Sequence, residues 1–313
     1  MNLALTVMEI VAPVFLLAGI GYIWVKLGFE YRIQFVTQLA MTLSVPCLIF
    51  VALMKTEIDP AALTALSLAS AAAYGVLTVA VFILVRIFRL NLRTYLAPMI
   101  FGNTGNLGLP LALFAFGQTG LSYAVVVFAI MAIWSFTFGI WVVAGAGSFG
   151  KVIREPLVAA TLLGALFLWQ DWQTPLFLTN TLELLGQMAI PMMLITLGVA
   201  VARLQPGGIG RAALLSAVKL LVCVAIAWTI GRAFDLEPVA FGVLVLQIAT
   251  PVAVTSYLLA EKYGADSQDV AGLVVASTLM SVAALPVLLA FLLSDLLFPH
   301  NGESVNVPQN NKS

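Results

Sequence analysis

Seven stretches of this chain, residues 5–25, 33–54, 62–88, 120–144, 177–201, 210–231 and 270–298, run for more than 20 residues with no more than two charged side chains apiece. A bilayer core of about 30 Å is crossed by roughly 20 apolar residues in helical conformation. In hydrocarbon each backbone amide and carbonyl has to be paired, so unbroken apolar runs of this length read as spanning helices. Three weaker segments follow: 156–172, headed by Arg154 and Glu155, and 94–117 and 237–262, which Gly, Asn, Thr and Pro interrupt. The sequence predicts an all-α polytopic membrane protein of ten transmembrane helices, with helices four and nine the interrupted ones.

Composition excludes other classes. A soluble domain is about 45–50% apolar and about 25% charged; this chain is 62% hydrophobic and 9% charged, with a mean hydropathy of +1.08. That removes a soluble enzyme, a nucleic-acid binder and a disordered scaffold. Fourteen basic and fourteen acidic residues cancel, so no basic field attracts nucleic acid. The single histidine, His300, lies beyond the last apolar run, and Cys47 and Cys223 lie inside such runs. That inventory supplies no His-based triad, metal cluster or disulfide framework. The expectation is a protein that is not an enzyme and has no catalytic residues, cofactor or metal. The opening MNLALTVMEIVAP lacks a positive leader and continues to Val25, so it is read as a retained helix. Residues 300–313 are read as a polar disordered tail.

Lys and Arg set the orientation. Lys26, Arg32, Arg86, Arg89, Arg93, Lys151, Arg154, Arg203, Arg211 and Lys262, ten of fourteen, fall on one side. Lys55, Arg232 and Lys312 fall on the other, and Lys219 lies within a span. The ten-charge side is expected to be cytoplasmic, with both termini outside.

The two halves echo each other at spacings of 145–147 residues: Pro46 with Pro191, Phe88-Arg89-Leu90 with Phe234-Asp235-Leu236, Thr104 with Thr250, and the Phe-Gly ending at Gly117 with the Tyr-Gly ending at Gly264. This predicts a first five-helix repeat over 1–148 and a second over 149–299. Five is odd, so the second repeat enters the membrane from the opposite side. Inverted repeats of this kind recur in secondary transporters, whose binding sites lie near the midplane at broken helices.

The chemistry is expected there. Helix four carries Gly102, Gly105, Gly108 and Pro110 with Asn103, Thr104 and Asn106 between them, and helix nine carries Gln247, Thr250 and Pro251. Pro removes a donor and Gly weakens the helix, so freed backbone groups seek partners. Each new half-helix offers N–H groups and a positive dipole end to an anion, and carbonyls to a cation. The candidate substrate-binding set is Asn103, Thr104, Gly105, Asn106, Pro110, Gln247, Thr250 and Pro251. Pro46 and Pro191 are either cavity-lining hinges or plain kinks. Ionisable residues inside spans are functional candidates. Lys219 either snorkels to the interface or acts as counter-charge to a substrate anion. Glu183 and Glu9, near the outer surface, are either interfacial or carry a proton. No carboxylate falls at the expected crossing, so a coupling ion, H+ or Na+, is left open.

The motifs SVPCLIF at 44–50, GNTGNLGLPL at 102–111 and AEKYGADSQDVAGLVVASTLMSVAALPVLLAF at 260–291 resemble the auxin efflux carrier family, over essentially the whole chain. The resemblance implies a ten-helix, two-repeat carrier whose helix four–nine crossing holds a substrate carboxylate, with Asn103 in contact and Pro110 and Pro251 as helix breakers. It also implies a scaffold of helices one, two, six and seven against which the crossing bundle rocks. Two departures from the plant pattern are plain: Gly102 stands where a proline is common, and the long cytoplasmic loop between helices five and six is missing. The short-loop form is similar to bacterial inner-membrane permeases, some associated with malate, malonate or other carboxylates.

The leading function is therefore an alternating-access carrier for a small organic anion. A passive channel would want a continuous polar lining, whereas the polar residues here gather at one depth. A carrier of a zwitterion such as an amino acid is the other alternative. Besides substrate, membrane lipid is the expected partner, and a homodimer is left open.

Overall fold

The computed structural model describes residues 3–55, 58–144, 156–204 and 208–297. Lys151, Arg154, Lys312, His300 and the expected tail lie outside the described residues. The elements are α1 (Leu3–Lys26), α2 (Ile33–Leu39), α3 (Val45–Met54), α4 (Pro60–Ile87), α5 (Leu92–Ile100), α6 (Leu109–Trp134), α7 (Ile140–Ala144), α8 (Pro156–Trp169), α9 (Leu176–Gln187), α10 (Ala189–Arg203), α11 (Ile209–Ala233), α12 (Pro238–Ile248), α13 (Val254–Tyr263) and α14 (Ser267–Leu297). Wider π turns at Ala40–Ser44, Thr104–Gly108 and Ser135–Gly139 lead into α3, α6 and α7. Among the described residues there is no strand.

Among the described residues, seven stretches are long and apolar enough to cross a membrane: Leu5–Lys26, Ile33–Met54, Ala61–Ile87, Thr104–Ala144, Leu176–Arg203, Ile209–Ala233 and Ser267–Ser294. Ala159–Trp169 and Pro238–Ile248 are shorter apolar helices. The chain is an all-helical polytopic membrane protein. The sequence reading takes 94–117 and 120–144 as separate stretches. Within α6 the helix is broken at Gly117, whose φ of 65° and ψ of −156° are not helical and would be opposed by a side chain, so two helices meet there, as the separate stretches in the sequence predict.

The helix ends repeat one geometry in the two halves. After α4, the amides of Phe88, Arg89 and Leu90 donate to Leu84, Arg86 and Val85, and Arg89 takes a φ of 51°. After α11, the amides of Phe234, Asp235 and Leu236 donate to Ile230, Arg232 and Gly231, and Asp235 takes a φ of 48°. Every atom pair in the second set lies 146 positions after its counterpart. Gly117 and Gly264 both take a positive φ, 65° and 69°, but differ in ψ, −156° against 32°.

Packing is densest in two neighbourhoods, which meet where α1 packs on α6 and α14 and α3 on α6. α1 lies along α10, and α3 packs on α8 and α9. Glycines bring the first pair close: a Cβ on Gly198 would sit 1.7 Å from the Ala18 carbonyl oxygen, and one on Gly21 would sit 2.0 Å from that of Ile195. Small residues at such crossings let backbones approach where apolar burial gives no drive in lipid. In the second neighbourhood α11 packs on α12 and α14, α12 on α6, and α4 on α5 and α6.

Candidate functional site

α5 stops at Ile100 and helix resumes at Thr104; α12 stops at Ile248 and helix resumes at Val254. The second stop follows from Pro251, which has no N–H and disfavours helical backbone at Thr250 before it. The two unwound segments lie antiparallel to each other. The Asn103 amide donates to the Pro251 carbonyl at 2.7 Å and the Ala253 amide to the Phe101 carbonyl at 3.4 Å, with Gly102 opposite Val252. Each segment thereby pairs groups that would otherwise stand unpaired in hydrocarbon. Gly102 permits the approach: a Cβ there would lie 2.2 Å from Thr250 Oγ1.

The polar side chains around the first break are incompletely partnered. Asn103 Nδ2, Thr104 Oγ1 and Gln247 Oε1 are all buried without a hydrogen-bond partner. Gln247 Nε2 donates to the Ala124 carbonyl at 3.3 Å, and its side chain lies over Gly108, where a Cβ would meet Oε1 at 2.0 Å. Gly105 faces Phe128 and Met193, the latter on α10, with Met193 Cε 3.3 Å from the Cβ position. Asn106 is half-buried, and Pro110 lies inside the resumed helix, just after the π turn Thr104–Gly108 and not at the break itself.

The second break is satisfied from its own half. Thr250 Oγ1 donates to the Gln247 carbonyl at 2.7 Å, and the Val252 amide donates to Ser277 Oγ at 3.0 Å. Lys219 Nζ donates to the Thr250 carbonyl at 3.0 Å. At 3% exposure this lysine is held inside the bundle and does not snorkel. Ser277 had no distinguishing mark in the sequence beyond being a hydroxyl in an apolar run.

A cavity of about 720 Å³ opens between α3, α6, α9 and α10. Its polar lining is Lys55, Gln118, Thr119, Ser122, Glu183 and Gln187, and Pro191 also lines it. Lys55 and Glu183 form an ion pair there. Of the residues singled out in the sequence, Glu183 and Pro191 therefore border this cavity. Asn103, Thr104, Gln247, Thr250 and Pro251 do not line it. Pro46 is half-buried at the start of α3, just after a π turn, and Glu9 points outward from α1; neither joins these residues. Gln118, Thr119 and Gln187 escaped the sequence reading because lone polar residues near the ends of apolar runs look interfacial. Among the described residues, no group of three or more His, Cys, Asp or Glu gathers as a metal site.

Long apolar helices, two of them interrupted where their backbones pair, together with a polar cavity between helices, are the make-up of a membrane transport protein. The chain belongs to the membrane transport protein family, whose model matches residues 6–151 and 147–289; this is the auxin efflux carrier family. It is 26% identical over 213 residues to a protein of Rhizobium meliloti named "Putative malonate transporter", covering 63% of this chain and 66% of that one. It is 24% identical over 194 residues to an uncharacterized transporter of Methanocaldococcus jannaschii, covering 58% and 62%. With an uncharacterized transporter of Methanothermobacter thermautotrophicus the identity is 28% over 191 residues, covering 59% and 63%. The matched stretches span just under two thirds of the length of these relatives.

Proposed function

We propose that this protein is a secondary transporter of a small organic anion, a mono- or dicarboxylate of the malonate and malate class, working by alternating access. In this reading ten transmembrane helices form two inverted five-helix repeats. Helix four (α5 and the 104–116 part of α6) and helix nine (α12 and α13) cross at their breaks. Support for the repeat comes from the helix-end hydrogen bonds that recur at a spacing of 146 residues. The dense packing of α1 on α10 and of α3 on α8 and α9 supports a scaffold, which meets the crossing bundle where α1 touches α6 and α14 and α3 touches α6. The membrane is a bacterial inner membrane, with both termini outside.

The observation that carries the reading is the spare donor capacity at the first break. Asn103 Nδ2 and Thr104 Oγ1 are buried and unpartnered, beside the start of a helix whose first amides and dipole favour an anion. An unpaired buried donor costs about 1–3 kcal/mol, and a carboxylate arriving there would relieve that cost. A zwitterionic substrate is the second reading, favoured by the opposite charges of Lys55 and Glu183 in the cavity wall. The test is counterflow in proteoliposomes with labelled malonate, malate and a panel of amino acids. Trans-stimulated uptake of a carboxylate, lost in Asn103→Ala, is the expected result. Exchange of amino acids alone would select the second reading, and a leak without trans-stimulation would indicate a channel.

A further inference from the structure

α12 ends at Ile248, ahead of Pro251, and the Thr250 carbonyl lies just beyond it, near the negative end of that helix's dipole. Secondary transporters use such carbonyls, at unwound segments and half-helix ends, to hold a coupling Na+ or H+. In this chain the position is taken by a side chain. Lys219 Nζ stands 3.0 Å from the Thr250 carbonyl oxygen and 3.8 Å from Cys223 Sγ. Among the described residues Lys219 has no acidic ion-pair partner. Beside it is a void of about 10 Å³ bordered by Ser216, Thr250, Ser277 and Ser281, room for about one water molecule. The Ser216 hydroxyl there is buried and unpartnered. A carbonyl and three hydroxyls of this kind are the ligand type a hard monovalent cation takes, and the lysine ammonium already stands among them.

We propose that Lys219 is a built-in cation of the α12–α13 break, occupying the Thr250 carbonyl where a free Na+ or K+ would otherwise be held, so that the carrier needs neither. Being covalently attached, the charge stays on the carbonyl end of α12 whether or not substrate is present. It also leaves a positive charge, without a carboxylate partner among the described residues, behind the paired breaks that an anion approaches. The proposal extends the transporter reading, but its structural arm stands on the Lys219 contacts alone.

The experiment compares the melting temperature of the purified protein in choline, sodium, potassium and propylammonium chloride at equal ionic strength. The unmodified protein is expected to melt at the same temperature in all four. Lys219→Ala vacates the stem and the charge. It is expected to melt lower in choline and to recover at least half of the loss, saturably, in sodium or propylammonium. Lys219→Arg keeps a cation and is expected to show no preference among the salts. If Lys219→Ala does not fold, Lys219→Gln replaces it, with the same recovery expected in sodium. Selective stabilisation of the unmodified protein by sodium or potassium would overturn the proposal, as would a charge-free variant indifferent to every cation. In proteoliposomes, malonate counterflow is expected to run at equal rates in sodium and in choline, and a tenfold sodium dependence would overturn the proposal too. Absence of malonate exchange in both media would count against the carboxylate reading, while the melting data would still decide the role of Lys219.

Discussion

The two breaks pair with each other through their backbones, yet they treat their side chains in opposite ways. At the second, Thr250 Oγ1, the Val252 amide and the Thr250 carbonyl each have an assigned partner, and the carbonyl's partner is the ammonium of Lys219. At the first, Asn103 Nδ2 and the Thr104 hydroxyl are buried without a hydrogen-bond partner among the described residues, and the side-chain oxygen of Gln247, Oε1, joins them from across the pairing. A buried polar group left unpaired is a standing cost. One break is therefore closed and structural, while the other holds its donors in reserve. The contrast is what a binding site built on one arm of a crossing, and braced by the other, would look like.

Four substitutions break or sharpen that comparison. The largest effect is expected from Gly102→Ala, because a Cβ would fall 2.2 Å from Thr250 Oγ1 and 3.1 Å from the Thr250 carbonyl oxygen. Forcing the breaks apart should destabilise the protein by about 1–3 kcal/mol, seen as a lowered melting temperature together with lost exchange; an unchanged melting temperature would mean the pairing contributes little. Next is Asn103→Ala. Its Nδ2 has no partner in the fold, so melting should hold steady. Counterflow of malonate should drop by a factor on the order of ten or more, the equivalent of losing one hydrogen bond to a charged group at about 1.5–3 kcal/mol. A variant that melts lower but exchanges normally would reverse the roles of the two breaks. Thr250→Val deletes the 2.7 Å bond to the Gln247 carbonyl. A loss of about 0.5–1.5 kcal/mol in stability is expected, with exchange largely kept. The smallest effect belongs to Glu183→Gln. The ion pair with Lys55 is partly exposed, at 33% and 46%, so its stability contribution should be no more than about 0.2–1 kcal/mol. The half-saturation concentration is the readout there, and it should fall for an anion once Lys55 is released from its partner.

Much of this was legible in the chain. Hydropathy alone marks the spans, because a bilayer tolerates few other uses for runs such as 62–88. Pro251 and the Gly102–Asn103–Thr104 sequence mark where helices stop, since missing donors and missing Cβ atoms act locally. Even the recurrence of one helix-end geometry could be anticipated from Phe88-Arg89-Leu90 and Phe234-Asp235-Leu236, although residues as different as Arg and Asp take the same left-handed backbone. The division at 117–120 was legible too: Gly117 takes a non-helical φ of 65° and ψ of −156° between two helices, a backbone that glycine alone adopts readily.

Other features depend on which helices come to lie together. Lys219 and Thr250 are 31 positions apart on different helices, so whether the lysine snorkels or caps a broken helix depends on how α11 packs against α12. The cavity draws Lys55, Gln118 and Glu183 from three separate regions of the chain, and no local pattern links them. Spans and breaks follow from the sequence by itself, because backbone satisfaction and apolar burial in a membrane are counted within one segment. Partners are decided only in the tertiary structure, because a polar group's neighbour across a bundle is set by helix packing.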